Sequence, residues 1–204
     1  DVFVLNTCTV TANADAKARQ ALRAARRSNP HALIVAAGCY PQRSSAELEQ
    51  LDAVSLVVDN QHKHQLVSLV TARLGAGATV PAPVSNHSSS EKLSIRLGRS
   101  RTMIKIQEGC DQVCAYCIVP TVRGRERSIP TEEIVEEVRR LISSGAREVV
   151  LTGTQLGSYG FDLDGQNLSS MIEAVLDETD IDRLRVSSLQ PLEIMDGLLE
   201  LWSS

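Results

Sequence analysis

Short apolar runs alternate with longer helical stretches along this chain, and that alternation limits its fold more than any other feature. Residues 2–5, 32–37 and 54–58 are predominantly apolar runs with the character of buried strands. Residues 12–28, 45–51 and 62–74 have helical patterns, and the first of these stretches contains neither glycine nor proline. Apolar strands separated by helices form parallel sheets with both faces covered. The first third of the chain is therefore predicted to be an α/β unit.

A stretch rich in glycine, alanine, proline and serine, residues 75–90, separates this unit from a second strand–helix series. The later series is predicted as strands at 102–107, 148–152 and 184–188, with helices at 131–143, 168–176 and 191–202. Thr131 is the expected N-cap of the first of these helices. Repeated β/α units indicate part of a (β/α) barrel, although these are too few to close one. The expected domains are residues 1–74 and 96–204, joined by a linker at 75–95.

Three of the five cysteines, Cys110, Cys114 and Cys117, fall within eight residues in the spacing C-x3-C-x2-C. Three thiolates in one short loop can bind a single [4Fe–4S] cube, which leaves one iron without a protein ligand. An iron with an open position can bind a small molecule and take part in chemistry. A structural zinc site is the main alternative, but it usually needs a second cysteine pair or nearby histidines. Chance clustering is the remaining alternative.

Cys8 and Cys39 each lie just after a predicted strand, at residues 2–5 and 32–37. Open α/β sheets bind ligands at the edge formed by the carboxyl ends of their strands. The two thiols are therefore expected at one edge of the sheet, where they could share a metal. The competing interpretation is that both are buried structural cysteines, which is common for free thiols.

The formal charge of −4 conceals two basic segments, residues 17–27 and residues 96–127. In the first segment, Arg19, Arg23 and Arg26 repeat at helical spacing and therefore share one helix face. Such patches suit a phosphate-rich partner such as nucleic acid, and a solvated charged face is the alternative. The hydrophobic content of 43% supports a sizeable core, and no apolar run reaches transmembrane length. Cysteines that look reduced indicate a cytoplasmic protein.

Three further segments hold candidate ligand-binding residues. Tyr116 lies between two of the clustered cysteines, where it either contacts an adenine-like ring or packs as a core aromatic. Residues 151–160 follow a predicted strand and contain three glycines, which permit close approach to a ligand but also occur in ordinary loops. Residues 123–127 carry three arginines, which either bind phosphate or carboxylate groups or face solvent.

The sequence around these residues resembles the radical S-adenosylmethionine (SAM) methylthiotransferase family. The cysteine loop follows Ile-Gln-Glu-Gly and precedes Ile-Val-Pro and Arg-Gly, which is similar to that family. The segment Asn-Thr-Cys-Thr-Val-Thr around Cys8 and the Gly-Cys pair at Cys39 extend the resemblance. Together with residues 151–160 and Arg-Val-Ser-Ser-Leu-Gln-Pro at 185–191, that segment looks closest to the branch that modifies N6-threonylcarbamoyladenosine in tRNA.

This resemblance implies a Rossmann-like N-terminal domain followed by the first half of a radical SAM (β/α) barrel. Cys110, Cys114 and Cys117 would hold a [4Fe–4S] cluster whose open iron chelates SAM, and Cys8 and Cys39 would ligate a second [4Fe–4S] cluster that supplies sulfur. One electron would cleave SAM to a 5′-deoxyadenosyl radical, which takes hydrogen from C2 of the adenine, while the protein binds, orients and shields. The residues that the resemblance places around SAM are Tyr116, Gly153, Thr154, Gln155, Ser187 and Ser188.

The implied activity is methylthiolation of C2 of N6-threonylcarbamoyladenosine next to the anticodon of tRNA. Alternatives within the family are methylthiolation of isopentenyladenosine in tRNA or of an aspartate in a ribosomal protein. An alternative of another class is a non-catalytic, metal-stabilised RNA-binding module. The implied partners are tRNA, an electron donor such as a flavodoxin or ferredoxin, and a sulfur source, with no membrane.

The family pattern extends beyond this chain. The first of three expected N-terminal cysteines, the remaining barrel strands and a C-terminal RNA-binding TRAM domain have no counterpart in its 204 residues. Because the chain starts without a methionine and just before an apolar strand, it is expected to be an internal piece of a longer protein, which need not be active by itself. An incomplete barrel would also leave an exposed sheet edge that is prone to association.

Overall fold

The computed structural model describes residues 1–75, 101–112, 114–187, 189–194 and 196–202. The chain divides into two compact units. The first comprises Asp1–Pro83 and Gln112–Gly124, and the second comprises Val84–Asp111 and Arg125–Ser204. The segment 112–124 thus groups with the N-terminal unit, whereas the domain boundaries expected from the sequence assign it to the second domain. Nearly all of the linker expected at 75–95 lies outside the described residues.

Parallel strands and α-helices alternate in the first unit, as the sequence pattern predicts. The strands are β1 (Val2–Thr7), β2 (Leu33–Gly38) and β3 (Leu56–Val58), with β2 in the middle. The helices are α1 (Ala12–Ser28), α2 (Cys39–Glu49), α3 (Leu66–Leu74) and, from the later segment, α4 (Val119–Arg123). A 3-10 turn at Lys63–Gln65 precedes α3. This order confirms the parallel α/β fold expected for the N-terminal part.

The central strand β2 is covered on both faces, because alternate residues of a strand point in opposite directions. Val2, Phe3 and Val4 of β1, where the sequence indicates a buried strand, are exposed instead. One face packs against α1 and α2 in a cluster that contains Leu22, Ile34, Ala36, Tyr40 and Leu48. The other face packs in a cluster that contains Val35, Ala37, Val58 and Val70. Complete burial of each aliphatic side chain of this size stabilises the fold by about 1.5–3 kcal/mol. The carboxyl ends of β1 and β2 are therefore held by a rigid core.

Helix α2 begins at Cys39, six residues before the predicted start at residue 45. Pro41 lies in its first turn, where a missing backbone N–H does not cost a helical hydrogen bond. The helix is kinked at Ser44, whose φ of −155° and ψ of 65° are not helical. The prediction was too short because it treated Pro41 as part of a loop. Consequently, Cys39 lies at the first helical position after β2.

The second unit contains another parallel sheet and a short antiparallel ribbon. The sheet consists of β4 (Arg101–Lys105), β7 (Glu148–Thr152) and β8 (Arg183–Val186), with β7 in the middle. The ribbon pairs β5 (Gln107–Glu108) with β6 (Arg127–Ser128). The helices are α5 (Thr131–Ser143), α6 (Leu168–Glu178) and α7 (Asp196–Glu200), with 3-10 turns at Leu156–Ser158 and Pro191–Glu193. This strand–helix order agrees with the part of a (β/α) barrel that the sequence predicts.

Helix α5 shows why the second unit folds as the sequence pattern indicates. Its buried residues are Ile134, Val135, Val138 and Leu141, which repeat at the spacing of one helical face. They belong to a core cluster that also contains Val149 and Leu151 of β7. The acidic residues of the first turn favourably face the positive end of the helix dipole.

Three predicted boundaries in the second unit are wrong. The strand expected at 102–107 ends at Lys105. Ile106 donates its N–H to Thr152 O in the sheet and accepts a hydrogen bond from Ile129 N next to the ribbon, so the chain leaves the sheet and enters the ribbon at this residue. Thr131 is the first helical residue of α5 and not its N-cap, which is Pro130. The helix expected at 191–202 is instead a 3-10 turn followed by the short α7.

None of the described helices is both long and apolar enough to cross a membrane.

Candidate functional site

The pairing of β1 with β2 brings Cys8 and Cys39 to adjacent strand ends. Thr7 and Gly38 are the last paired residues of the two strands, so each cysteine is the first residue beyond the same rung. Cys8 is exposed, whereas Cys39 retains only 7% of its accessible surface. Both thiols thus lie at strand ends, as the sequence predicts. Metal binding by them remains a proposal.

A threonine and a glycine fix the turn that carries Cys39. Thr7 is buried, and its hydroxyl donates to Ala37 O at 2.8 Å and accepts from Tyr40 N at 3.3 Å. Gly38 has a φ of +106°, a conformation that side chains other than glycine rarely adopt. A Cβ at this position would lie 2.7 Å from both Asn6 Oδ1 and Thr7 O. The turn therefore requires glycine for its backbone angle and for the close approach of β1.

Asn60, which the sequence analysis did not single out, donates a hydrogen bond to the Cys39 sulfur. Its Nδ2 lies 3.4 Å from Cys39 Sγ and also 2.7 Å from Val122 O of α4. Its backbone N–H donates to Gln42 Oε1 at 3.2 Å. Asn60 follows β3 by two residues, so it lies at the same end of the sheet as the two cysteines. That position after a strand was the only signal in the sequence.

The loop that follows Cys8 is held by charged side chains of α1 and α2. Arg43 donates to Thr9 Oγ1 at 2.7 Å and pairs with Asp15 Oδ2 at 2.9 Å. Thr9 is buried although it follows an exposed cysteine. This contact anchors the loop one residue after the thiol.

The arginine stripe of α1 is not a free charged face. Arg19 donates to Tyr40 Oη at 2.5 Å and to Glu47 at 3.0 Å. Arg26 donates to the carbonyls of Pro30 and Ala32 and to Ser55 Oγ. Arg23, by contrast, is exposed. Part of the stripe therefore braces the first unit, and the prediction of a single uniform surface was too simple.

The clustered cysteines lie in a loop whose sequence runs from one unit to the other. Cys110 belongs to the second unit, whereas Cys114 and Cys117 belong to the first. Cys110 is half-buried, the other two are exposed, and Cys117 N donates to Cys114 O at 3.1 Å in a turn. Within the described ranges, no group of three or more His, Cys, Asp or Glu side chains forms a metal-binding set. The thiols therefore fit a cluster by donor chemistry and spacing, and their convergence on it is a proposal.

Tyr116, which is predicted to contact a cofactor, is highly exposed in this loop. Its side chain retains 94% of its accessible surface, so the alternative of a core aromatic is excluded for the structure as described. An exposed ring beside two thiols is available to contact a ligand. Its contact with adenine remains a proposal.

Gln107 is the main site residue of the second unit that the sequence analysis missed. It is 1% exposed, and its Oε1 accepts from Thr154 N at 2.9 Å and from Gln155 N at 3.0 Å. Its Nε2 donates to Gly109 O at 3.0 Å and to Glu126 Oε1 at 3.4 Å. One buried amide thus joins the residue before Cys110 to the loop after β7. A side chain that pairs with partners this distant in sequence leaves no local pattern.

Glu126 is a partly buried carboxyl group beside this amide. Burial raises its pKa, hydrogen bonds with Ser158 and Gln107 oppose that shift, and the negative charges of Asp162 and Asp111 reinforce it. Asp111 Oδ1 also accepts from Glu126 N at 3.2 Å. A carboxyl with a raised pKa near a predicted cofactor loop is a candidate for ligand binding.

The loop after β7 is tightly packed around the predicted SAM residues. A Cβ on Gly153 would lie 2.6 Å from Leu156 Cδ2, so glycine is required for packing at this position. The Gln155 side chain donates to Glu193 Oε1 and accepts from Gln190 Nε2 at 3.2 Å. The hydroxyl of Thr154 is buried and has no hydrogen-bond partner among the described residues. The loop is thus preorganised, with one polar atom left for a ligand.

The two serines predicted after β8 have different outcomes. Ser187 lies just beyond the strand and its hydroxyl donates to Leu151 O at 3.1 Å. This hydrogen bond links the residue that follows β8 to β7. Ser188 lies outside the described residues.

Family models and a solved structure define the class of protein to which this fold and these residues correspond. The family described as "Uncharacterized protein family UPF0004" matches residues 1–59, and the Radical SAM superfamily matches residues 104–188. The structure of the radical S-adenosylmethionine methyltransferase TsrM from Kitasatospora setae has a TM-score of 0.59 and 17% identity. The alignment covers 99% of this chain and 46% of that one. This similarity confirms the radical SAM fold.

Individual relatives show which radical SAM enzymes the chain is similar to. The chain is 39% identical to the threonylcarbamoyladenosine tRNA methylthiotransferase MtaB of Aquifex aeolicus, over 98% of this chain and 50% of the relative. It is 35% identical to the protein of the same name from Bacillus subtilis, over 98% of this chain and 46% of the relative. A tRNA-2-methylthio-N(6)-dimethylallyladenosine synthase of Bacillus velezensis is 32% identical, over 98% of this chain and 41% of the relative.

These matches confirm the resemblance seen in the motifs: residues 104–188 match the Radical SAM superfamily, and nearly the whole chain is similar to methylthiotransferases. It spans about half the length of the curated relatives that it matches.

Proposed function

We propose that this chain is part of an enzyme that methylthiolates C2 of N6-threonylcarbamoyladenosine next to the anticodon of tRNA. The observation that carries the proposal is its 35–39% identity, along nearly the whole chain, to proteins named for threonylcarbamoyladenosine tRNA methylthiotransfer. Relatives named for dimethylallyladenosine in tRNA are 31–32% identical, which makes that substrate the second candidate. A metal-stabilised RNA-binding module is not favoured, because the cysteine loop lies within a radical SAM match.

The cysteines fit two [4Fe–4S] clusters by their chemistry, since none of the five is bonded in a disulfide among the described residues and each can supply a thiolate ligand. Cys110, Cys114 and Cys117 would hold one cluster, and Cys8 and Cys39 would provide ligands to the other. When bound, the clusters supply the electron that cleaves SAM and the sulfur that is inserted. Cys39 is shielded in the first unit, while the exposed Cys114 and Cys117 remain accessible for cluster assembly.

The remaining residues would bind and orient SAM. Tyr116 is exposed and available to the adenine ring, and the buried Thr154 hydroxyl offers an unused polar atom. Gly153 and Gln155 form the tightly packed loop that holds this hydroxyl. Ser187, at the end of β8, would extend the same lining, and the role proposed for Ser188 rests on the family resemblance alone. These roles follow from the position of each residue and from the family resemblance.

The proposed partners are tRNA as substrate, a flavodoxin- or ferredoxin-like electron donor and a sulfur source, in the cytoplasm. The test is anaerobic reconstitution of the full-length protein, followed by EPR of the reduced clusters before and after addition of SAM. The radical SAM assignment predicts a cluster signal that changes when SAM binds. Bound zinc, or a cluster signal unaffected by SAM, would defeat it.

Substrate choice needs a second comparison with the same reconstituted protein. Transfer RNA carrying threonylcarbamoyladenosine is compared with the same tRNA lacking threonylcarbamoyl and with tRNA carrying isopentenyladenosine. The proposal predicts that only the tRNA carrying threonylcarbamoyladenosine becomes heavier, by about 46 mass units, because a methylthio group replaces one hydrogen atom. Equal modification of the isopentenyladenosine tRNA would favour the second candidate.

A further inference from the structure

We propose that Asn60 is a positioning residue for the Cys39 sulfur, and that its side-chain N–H tunes the cluster to which Cys39 is a ligand. The inference rests on the proposed function, which assigns a cluster to Cys8 and Cys39. Asn60 lies outside the cysteine motifs, 21 residues from Cys39 in sequence.

The orientation of the Asn60 amide is fixed by a partner that can only accept. Its Nδ2 lies 2.7 Å from Val122 O, and a backbone carbonyl has no hydrogen to donate. The nitrogen must therefore occupy this side of the amide, and an exchange of nitrogen and oxygen would place two acceptors in contact. The same nitrogen lies 3.4 Å from Cys39 Sγ. Its two hydrogens are thus used by one carbonyl and one sulfur.

Asn60 is itself held in place from both sides. Its backbone N–H donates to Gln42 Oε1 of α2 at 3.2 Å, and its side chain reaches α4. Helix α4 begins at Val119, two residues after Cys117. The amide therefore ties the Cys39 sulfur to the segment that follows a proposed ligand of the other cluster. All of these contacts lie within the first unit.

A hydrogen bond to a ligand sulfur has a defined effect on a bound cluster. It withdraws electron density from the thiolate and stabilises the reduced, more negatively charged cluster. The midpoint potential is consequently higher with the hydrogen bond than without it. Cys39 is buried, so water does not readily replace the amide as donor. The contact is therefore expected to matter more than at an exposed ligand.

The test uses the full-length protein with Cys114→Ala, in which the cluster proposed at Cys8 and Cys39 is the one observed. Asn60→Leu removes the donor at similar volume, and Asn60→Asp replaces it with a group that carries negative charge. Gln42→Ala is the matched control, because it removes a neighbouring hydrogen-bond partner of Asn60 but leaves the side-chain donor held by Val122 O. Iron content is measured for each variant, and the midpoint potential is obtained by redox titration followed by EPR.

The expected result is a lower midpoint potential for Asn60→Leu, a larger decrease for Asn60→Asp and no change for Gln42→Ala. Equal potentials in all of these variants, at equal iron content, would overturn the inference. Loss of iron only in the Asn60 variants supports the positioning role. Absence of any such cluster with Asn60 and Gln42 intact would overturn the proposed function, and with it the tuning role.

A metal-free measurement separates the contact itself from the cluster. The thermal unfolding of the metal-free full-length protein is compared for Asn60→Leu, Cys39→Ala and the double variant. If the amide contacts the sulfur, the double variant loses less than the sum of the two single losses. Additive losses would overturn the hydrogen bond, because Asn60 would then act only through Val122. This result does not depend on cluster assembly.

Discussion

The side chain of Gln107 accepts a hydrogen bond from the backbone N–H of Thr154 at 2.9 Å, across 47 residues of sequence. The same side chain donates to Gly109 O, one residue before Cys110. A single buried amide therefore sets the distance between the start of the cysteine loop and the loop after β7. It does so with neutral groups, which keep their hydrogen bonds at any pH at which the protein is folded.

Replacing this amide with an apolar group is expected to destabilise the second unit. Gln107→Leu leaves the N–H groups of Thr154 and Gln155 and the carbonyl of Gly109 without their partner. Each buried unsatisfied group costs about 1–3 kcal/mol, so we expect a loss of at least about 2 kcal/mol. Denaturant unfolding of the metal-free full-length protein measures it. Gln20→Leu, at an exposed site on α1, is the control and should change stability by about 0.5 kcal/mol or less.

Two glycines with positive φ, Gly38 at the end of β2 and Gly75 after α3, offer a matched comparison. Gly38→Ala places a Cβ 2.7 Å from backbone and side-chain oxygens, whereas a Cβ at Gly75 has no atom of the described residues within 4 Å. The φ angles are +106° and +85° with ψ angles of −144° and 169°, a region that essentially only glycine adopts, so both substitutions carry a backbone penalty of about 1–3 kcal/mol. Gly38→Ala is expected to cost clearly more than Gly75→Ala in thermal unfolding. Equal losses would show that β1 does not press against this turn.

The raised pKa of Glu126 predicts a dependence of stability on pH. Because burial, the largest cause, favours the neutral carboxyl in the folded state, the folded pKa lies above the unfolded one. Stability from this group is therefore fully present below the unfolded pKa and decreases as pH rises through the folded pKa. Glu126→Gln removes this decrease, so the variant should gain stability relative to the parent protein as pH rises from about 4 to 7.

Thermal unfolding of the metal-free full-length protein across that pH range tests the Glu126 prediction. Glu173→Gln, at an exposed position on α6, controls for the loss of a surface negative charge. A stability difference between Glu126→Gln and the parent that is constant over the range contradicts the assignment.

Cys114→Ala is expected to abolish the SAM-binding cluster and leave the N-terminal fold intact. Cys114 is exposed, so its replacement by alanine is expected to remove little buried surface. Iron and sulfide analysis should show the loss of one cluster, and far-UV circular dichroism should be unchanged. SAM cleavage retained by this variant would refute the ligand assignment. Cys8→Ala is the comparison, since it should affect the other cluster and spare SAM cleavage.

Much of the fold follows from local pattern. Apolar runs predicted the parallel strands, and their ends placed Cys8 and Cys39 correctly, because the register of a parallel pair brings successive strand ends together. Helix α5 was predicted over the observed range because its apolar residues repeat on one face. These features depend on neighbours within one turn or one strand.

The features that sequence could not supply depend on distant partners. Thr131 was expected to cap α5, yet its N–H and hydroxyl both donate to Gln166 Oε1, 35 residues away. Gln107 was noted only as part of the Ile-Gln-Glu-Gly segment and Asn60 in no motif, and their roles arise from groups 47 and 62 residues distant. A polar side chain can join such partners only after the chain has folded. Local propensity therefore gives no indication of them.

The pairing of Thr7 with Gly38 limits how the positions of Cys8 and Cys39 can change. A slip of one residue between β1 and β2 would displace Cys8 by about 3.3 Å and turn it to the opposite face of the sheet. The alignment of the two thiols is thus a property of the backbone ladder rather than of any side-chain contact. Point substitutions within the helices should leave it intact, whereas the insertion or deletion of one residue inside β1 or β2 would separate the pair.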